Sequence, residues 1–191
     1  MTRNILVATC VLMLAGCVTM QAPKYEPPIA TTQGLMQQMQ AKIAVDRFDA
    51  AKGVNNTSLS IRGSQLTGGT DGTYSAYLHD ALQSALESAG RYDSASTTRL
   101  TGTLDVNDLN GANMTTGTAT VAARFVLTRQ NAPVYTKELT ASTQWESSFI
   151  GAVAIPAAVQ NYGATMQKLV GLLFSDADFL KAANAPPSDI R

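Results

Sequence analysis

Side chains able to do acid–base or metal chemistry are scarce in this sequence. His79 is its single histidine, and the two cysteines, Cys10 and Cys17, stand near the N-terminus. His79 lies about 110° from the centre of the apolar stripe of a predicted helix, which favours a solvated helix residue over a catalytic base. With one histidine, neither a zinc site of the usual nitrogen and sulfur type nor a Ser-His-Asp triad is expected within one chain.

A glycine-rich stretch and two pairs of carboxylates are the remaining candidates for chemistry. Residues 63–72 precede a predicted helix, but no lysine and no Gly-x-Gly-x-x-Gly spacing accompany them, so we predict an ordinary loop. The pairs Asp105 with Asp108 and Asp176 with Asp178 are accounted for by a strand end and a helix cap, and do not indicate a glycosidase. The sequence therefore predicts no catalytic residue, no metal site and no cofactor.

The first sixteen residues have the parts of a secretion signal. Arg3 supplies a positive charge, an apolar run follows from Ile5 to Ala15, and small residues end the segment. The apolar run is about half the roughly 20 residues that a permanent membrane-spanning helix needs. We therefore predict a signal peptide over residues 1–16 that is removed, and Cys10 leaves with it.

The end of this segment, Leu14-Ala15-Gly16-Cys17, resembles the bacterial lipobox. In that motif small residues admit the signal peptidase, and the cysteine sulfur takes a diacylglyceryl group. The resemblance implies lipidation of Cys17 and contact with the lipoprotein processing and sorting machinery. Because more than one acyl chain anchors a protein firmly, we expect a protein held to a membrane by its lipid. The alternative is an ordinary secreted protein in which Cys17 is a buried apolar residue.

The residue after the cysteine bears on which membrane holds the anchor. In the sorting rule that the sequence resembles, aspartate at that position favours retention at the inner membrane, whereas Val18 stands there in this chain. We therefore expect an anchor in the outer membrane, with the folded domain facing the periplasm.

Composition limits the remaining chain to one domain. Cleavage leaves roughly 175 residues, which we divide into a lipidated N-terminus and flexible tether over 17–40, a single periplasmic domain over 41–185, and a frayed tail over 186–191. The 14 Lys and Arg residues balance 14 Asp and Glu residues, and only 15% of residues are charged. This balance excludes the basic surface that nucleic-acid binding requires.

Apolar periodicity predicts an α+β domain. Alternation indicates strands at 42–48, 58–62, 99–109, 116–130 and 133–145, and the last three form an antiparallel meander joined by short turns. Apolar residues at spacings of three and four indicate helices at 73–89, from Ile155 with Pro156 in the first helical position, and at 175–182. We expect one mostly antiparallel sheet of about four to five strands with two main helices packed on one face.

Residues 149–159 have no polar side chain, and the segment is too short to span a membrane. One interpretation is a buried crossover into the last long helix. The other is an exposed segment that docks a protein partner, a second copy of the chain or the membrane surface, since exposed apolar patches usually mark contacts. Trp145 is either a core residue or an interface anchor. The predicted contact residues are Trp145, Phe149, Ile150, Val153 and Ile155.

Together with the lipobox, several loose patterns resemble small envelope lipoproteins, namely the YajG-like and the ABC-transporter auxiliary lipoproteins, over roughly residues 40–182. These patterns are the Ile-x-Val-x-x-Phe of the first strand, a helix with Tyr-Leu-His-Asp-Ala-Leu, and the later meander. The residues concerned are Ile43, Val45, Phe48, Tyr77-Leu78-His79-Asp80-Ala81-Leu82 and Gly90. The resemblance implies an α+β fold without known catalytic residues and a part in lipid trafficking between two membranes. Only Cys17 is carried over by motif.

Three functions are compatible with these observations. The leading hypothesis is a non-enzymatic outer-membrane lipoprotein that acts through protein contacts, as an accessory subunit of a trans-envelope system or as a self-assembling structural protein. The second is a carrier of lipid or another hydrophobic ligand, with a cleft lined by Met114, Phe149, Ile155 and Met166. The third is an envelope hydrolase or transferase, in which His79 would have to act.

Overall fold

The structure is a computed structural model that describes residues 19–186. The predicted signal peptide, the lipobox with Cys17, and residues 187–191 of the predicted tail lie outside this range. Seven strands are described: β1 Thr19–Gln21, β2 Ala44–Ala50, β3 Ser58–Ile61, β4 Ser64–Thr67, β5 Thr98–Asn110, β6 Thr116–Arg129 and β7 Ala132–Glu146. Four helices accompany them: α1 Ile29–Gln38, α2 Tyr74–Ser88, α3 Gly151–Phe174 and α4 Ala177–Asn184.

The α+β class is confirmed, and the larger sheet has four strands in the order β2-β5-β6-β7. Strands β5, β6 and β7 form the predicted antiparallel meander. Strand β2 lies parallel to β5, because the chain between them passes through β3, β4 and α2 before it returns, and such a crossover joins parallel strands. The sheet is therefore mixed and not purely antiparallel.

A second sheet of three strands, in the order β1-β4-β3, is a departure from the single sheet that we predicted. Strands β3 and β4 form a hairpin whose turn residues, Arg62 and Gly63, have φ of 50° and 82°, as a two-residue type I′ turn requires. Strand β4 lies in the stretch 63–72 that we predicted to be a loop. Leu66 is its only buried apolar residue, so the strand has almost no alternation for a sequence pattern to detect.

The prediction of a flexible tether over 17–40 is wrong for residues 19–40. Strand β1 pairs in parallel with β4, and helix α1 covers ten residues of the predicted tether. Tyr25, Leu35 and Met39 are buried. Their burial favours the order of this segment, since fully burying one apolar side chain contributes about 1.5–3 kcal/mol.

Helices α2 and α3 cover one face of the larger sheet. Alternate residues of β6, from Ala119 to Leu127, are buried beneath them. At Gly102 of β5 the rings of Phe48 and Phe125 meet edge to face, with centroids 6.0 Å apart. A Cβ at Gly102 would lie 2.7 Å from the Phe48 ring, so these two side chains fill the space that the glycine leaves. The opposite sheet face is polar.

The predicted helix ends agree with the structure for α2 and α4 but not for α3. Thr73 caps α2, Gly90 follows it with φ of 67°, and Asp176 accepts a hydrogen bond from the Phe179 N–H at the start of α4. Helix α3 begins at Gly151 and not at Ile155, so Pro156 lies inside it. Proline is tolerated there because the carbonyl that loses its N–H partner belongs to Ala152, which is exposed.

Candidate functional site

The residues with chemical potential remain dispersed in the structure. His79 lies on α2, and its Nδ1 is 2.9 Å from Oδ1 of Asp80, an exposed neighbour. Within residues 19–186, no three Asp, Glu, His or Cys side chains come together as metal ligands would. Two of the glycines before α2 pack against the chain: a Cβ at Gly68 would lie 2.2 Å from the carbonyl of Thr73, and one at Gly69 would lie 3.0 Å from the Tyr77 Cα.

Both carboxylate pairs have a member beside a basic side chain, although Asp105 lies inside β5, at an irregularity of its pairing, and not at a strand end. Oδ2 of Asp105 lies 3.6 Å from the Arg124 guanidinium on the neighbouring strand. Asp176 caps α4 and accepts a hydrogen bond of 2.6 Å from Lys137 of β7. Although desolvation acts to raise it, the bonds from Lys137 and from the backbone lower the pKa of Asp176. This carboxylate is therefore ionised at neutral pH and holds α4 on the sheet.

Four exposed apolar side chains share one end of the larger sheet, where β5 turns into β6 and β7 leads into α3. We call this end the tip and define it as residues 61–64, 110–117 and 147–153. Met114, Phe149, Ile150 and Val153 are exposed to 69%, 77%, 47% and 55%. Single exposed apolar residues are ordinary, but a group on one surface indicates a contact.

Arg62, in the turn of the β3–β4 hairpin, holds the tip together. Its Nε donates to the Gly111 carbonyl at 3.2 Å, and its Nη2 donates to the Asn113 carbonyl at 3.1 Å. Its guanidinium also donates to the carbonyls of Ser148 and Phe149. A single side chain therefore satisfies four carbonyls from two loops and fixes the backbone that displays the apolar residues.

The predicted contact residues divide into two groups. Phe149, Ile150 and Val153 are exposed at the tip, whereas Trp145 and Ile155 pack in part against the core. The Trp145 indole lies over Gly117 of the neighbouring strand, where a Cβ would be 2.1 Å from the ring. The interpretation of the segment 149–159 as a buried crossover is wrong for its first residues, because they are exposed. Ala154 and Ala158 are the buried residues of the segment.

The described chain begins at the same end. Thr19 pairs with Gln65, and Ile61 pairs with Ser64 across the hairpin turn. Because β1 runs parallel to β4, Thr19 lies at the end of the smaller sheet that is next to the Arg62-Gly63 turn. The first described residue is therefore at the tip and not at the opposite end of the larger sheet.

The cleft proposed for a hydrophobic ligand does not form. Met166 is fully buried in the core, while Met114 and Phe149 are exposed in separate loops. A cavity of about 440 Å³ lies instead between α2 and the chain around the end of β1. It is lined in part by Ala22, Tyr25 and Tyr77, and the Tyr25 hydroxyl is buried without a hydrogen-bond partner.

The role of Arg62 was missed from the sequence. The available signal was the Arg62-Gly63 dipeptide between two short stretches with alternating apolar residues, which is a weak hairpin pattern. Nothing in the local sequence indicates that the arginine reaches carbonyls 49 to 87 residues away.

Comparisons with known proteins give a fold relationship. No family model matches the chain, and no curated protein matches it. The crystal structure of protein XCC0632 from Xanthomonas campestris, described with the family DUF330, has a TM-score of 0.54 at 17% identity, covering 81% of this chain and 93% of that one. The chain therefore shares its fold with that protein.

Two further structures have lower scores. Protein CT253 from Chlamydia trachomatis has a TM-score of 0.49 at 9% identity, covering 74% of this chain and 98% of its own. A minor lipoprotein from Acinetobacter baumannii has a TM-score of 0.46 at 9% identity, covering 78% and 99%. Separately, none of the helices within residues 19–186 combines the length and apolar character needed to cross a bilayer.

Proposed function

We propose that this chain is a non-enzymatic bacterial envelope lipoprotein, anchored in the outer membrane through Cys17, that acts by contact with other proteins. It serves as an accessory subunit of a trans-envelope system or as a self-assembling structural protein. The observation that carries the proposal is the Leu14-Ala15-Gly16-Cys17 motif at the end of a secretion signal, directly before a folded domain.

The chemistry of the domain supports a role in contact. His79, the only imidazole of the chain, has an adjacent aspartate on its own helix as its hydrogen-bond partner. A catalytic base activates a nucleophile that lies within hydrogen-bond reach, whereas the hydrogen-bond partner of His79 is the carboxylate of the next residue. The surface also carries exposed apolar residues on a fixed backbone at the tip, which suit contact with another component of the envelope.

The anchor is tested by Cys17→Ser in the full-length chain. We expect the wild-type protein to incorporate radiolabelled palmitate and to fractionate with membranes, and the variant to lose both properties. Cys10→Ser is the matched control, because Cys10 leaves with the signal peptide. Unchanged membrane fractionation and labelling in Cys17→Ser would overturn the proposal.

The assignment of the anchor to the outer membrane is tested by Val18→Asp. We expect wild-type protein in the dense outer-membrane fraction of a sucrose gradient, and the variant in the inner-membrane fraction. Val18→Ala is the control and should remain in the outer membrane. Wild-type protein in the inner-membrane fraction would contradict the assignment to the outer membrane.

The contact role is tested by native electrophoresis and cross-linking of membranes solubilised in a mild detergent, with the protein at its natural abundance. A discrete assembly larger than the monomer is expected, either of this chain alone or with another envelope protein. A protein that is monomeric by both methods would contradict a role through protein contacts.

A further inference from the structure

We propose that the tip docks on the lipid surface that holds the anchor, with Phe149, Ile150 and Val153 inserted at the boundary between headgroups and acyl chains. This inference rests on the lipidation of Cys17 proposed above and specifies what the exposed apolar residues contact. The domain then lies on the membrane in a defined orientation, with the opposite end of its larger sheet turned toward the periplasm.

The length of chain before the fold restricts where the tip can be. Cys17 stands two residues before Thr19, and each residue spans at most about 3.3–3.6 Å. The Cα of Cys17 is therefore within about 7 Å of that of Thr19. Since Thr19 pairs with Gln65 beside the Arg62-Gly63 turn, an acylated Cys17 brings the tip to the membrane.

The short distance restricts the domain because residues 19–40 are folded onto it and do not act as a tether. A flexible tether of that length would let the domain move well away from the bilayer in any orientation. Instead, Ala22 donates a backbone hydrogen bond to Thr67, and the Tyr77 hydroxyl donates to the Pro23 carbonyl at 2.8 Å. The segment is held on the domain from its first described residues.

The composition of the tip matches a lipid surface. Residues 61–64, 110–117 and 147–153 contain one charged side chain, and it is the cation Arg62. No carboxylate in these segments opposes an anionic headgroup, and apolar side chains next to a basic residue are typical of interfacial membrane binding. The four loop carbonyls that Arg62 satisfies are polar groups that would otherwise be costly to desolvate.

The other exposed apolar residues differ from the tip in their distribution. Val134 is 40% exposed at the far end of β7, about 40 Å from Glu146 at about 3.3 Å per residue. Ile29 and Met36 lie on α1, whose last turn is held by Arg91 after α2. Leu172 is 37% exposed on α3. None of these residues lies at the end of the larger sheet where the described chain begins, whereas the exposed apolar residues of the tip do.

The experiment measures the lipid depth of single positions in the acylated, full mature chain. Because Cys10 is removed and the Cys17 sulfur is acylated, Phe149→Cys supplies a single free thiol for an environment-sensitive fluorophore. Val134→Cys is the matched control, since it is also exposed and apolar but lies at the opposite end. Both proteins are reconstituted in vesicles of phosphatidylethanolamine and phosphatidylglycerol.

We expect the probe at 149 to shift to shorter wavelength and to lose most of its emission to a quencher on the lipid acyl chain. A quencher near the headgroup should act more strongly than one at the chain end, because interfacial insertion reaches only roughly 5–10 Å. The probe at 134 should remain in a water-like environment, open to an aqueous quencher. Circular dichroism should be unchanged, since both substituted side chains are exposed.

The possible results separate this inference from the proposed function. If the protein is acylated but the probe at position 149 remains accessible to the aqueous quencher, tip docking is wrong and the proposed anchor is unaffected. A shifted probe that lipid quenchers do not reach indicates a contact with protein or with a second copy, and also overturns it. If mass spectrometry shows that the N-terminal peptide carries no acyl chains, both the proposed function and this inference are wrong.

Discussion

The two ends of the larger sheet are closed in different ways. At the end opposite the tip, the Arg129 guanidinium donates to the carbonyls of Ala182 and Ala183 at the end of α4. Nearby, the Asn184 amide bonds to the backbone of Gln38 and Gln40 after α1. Side chains there join the end of α1 to the end of α4 and to β6.

At the tip, the single arginine gathers carbonyls while the apolar side chains point outward. Arg62 satisfies the loops much as Arg129 satisfies α4, but Phe149 next to it is 77% exposed, whereas Phe179 on α4 is fully buried. An arginine bonded to backbone carbonyls is therefore found at both ends, with a buried phenylalanine at one end and an exposed phenylalanine at the other. The exposure of apolar side chains at the tip is local, and it is compatible with a backbone whose polar groups are hydrogen-bonded.

The largest expected effect comes from alkaline pH, which acts on the core between the two ends. Burial raises the pKa of Tyr77 to about 12 and raises the pKa values of Tyr25, Tyr74, Tyr135 and Tyr162 further. Below pH of about 10 these tyrosines are protonated in both states, so they do not affect stability. Above it, the unfolded chain loses protons that the folded chain retains, and each tyrosine lowers the free energy of unfolding by about 1.4 kcal/mol per pH unit.

We therefore expect tyrosinate absorbance to appear abruptly and together with the loss of circular dichroism. Stability from pH 7 to 9 should not change through these groups. A gradual ionisation of all six tyrosines near their usual pKa, with the fold intact, would contradict the buried positions of five of them.

The next prediction compares the free energies of unfolding of two phenylalanine variants. Phe179→Ala removes a ring that packs against Tyr135, with centroids 5.5 Å apart, and we expect it to lower the free energy of unfolding by about 3–5 kcal/mol. Phe149→Ala should change the free energy by less than about 0.5 kcal/mol, because its ring is mostly exposed. Urea unfolding of the two variants at one pH measures both values. Equal losses would mean that the tip is packed like the opposite end.

The two arginines give a smaller difference. Arg129→Met leaves buried carbonyls of α4 without a donor, and we expect a loss of about 2–3 kcal/mol in the free energy of unfolding. Arg62→Met frees carbonyls in partly exposed loops, where water replaces the guanidinium, so the loss should be about 1 kcal/mol. Hydrogen exchange should show faster opening near 111–115 and 147–150 in Arg62→Met alone. Protection retained there would contradict the bracing role of Arg62.

The last comparison is between two glycines near the tip. Gly117→Ala places a Cβ against the Trp145 ring, so the indole must move, and we expect a loss of about 1–3 kcal/mol with a change in tryptophan emission. Gly151→Ala meets nothing closer than 4.0 Å at the start of α3 and should be neutral or slightly stabilising. Unchanged emission from Trp145 in Gly117→Ala would contradict the stacking of the indole on that glycine.

Much of the architecture was predictable from local patterns. The antiparallel meander, helix α2 and the cap of α4 by the Asp176 pair were predicted near their observed bounds. Each of these elements carries its signal within a few residues, as periodic burial or as a capping side chain. Of the proposed contact residues, Phe149, Ile150 and Val153 are exposed, whereas Trp145 and Ile155 are packed in part against the core, and their contact with a partner stays a prediction.

Local sequence patterns indicate helices α2, α3 and α4 and the long strands β5, β6 and β7, and the sequence carries the motif from which we propose the anchor at Cys17. Only the tertiary structure decided that residues 19–40 join the domain, that β4 is a strand, and that Arg62 assembles the tip. The physical reason is that these features depend on partners far apart along the chain, such as Thr19 with Gln65 or Arg62 with Phe149. A local pattern records which face of an element is apolar, but it does not record which distant backbone will satisfy a turn or a short strand.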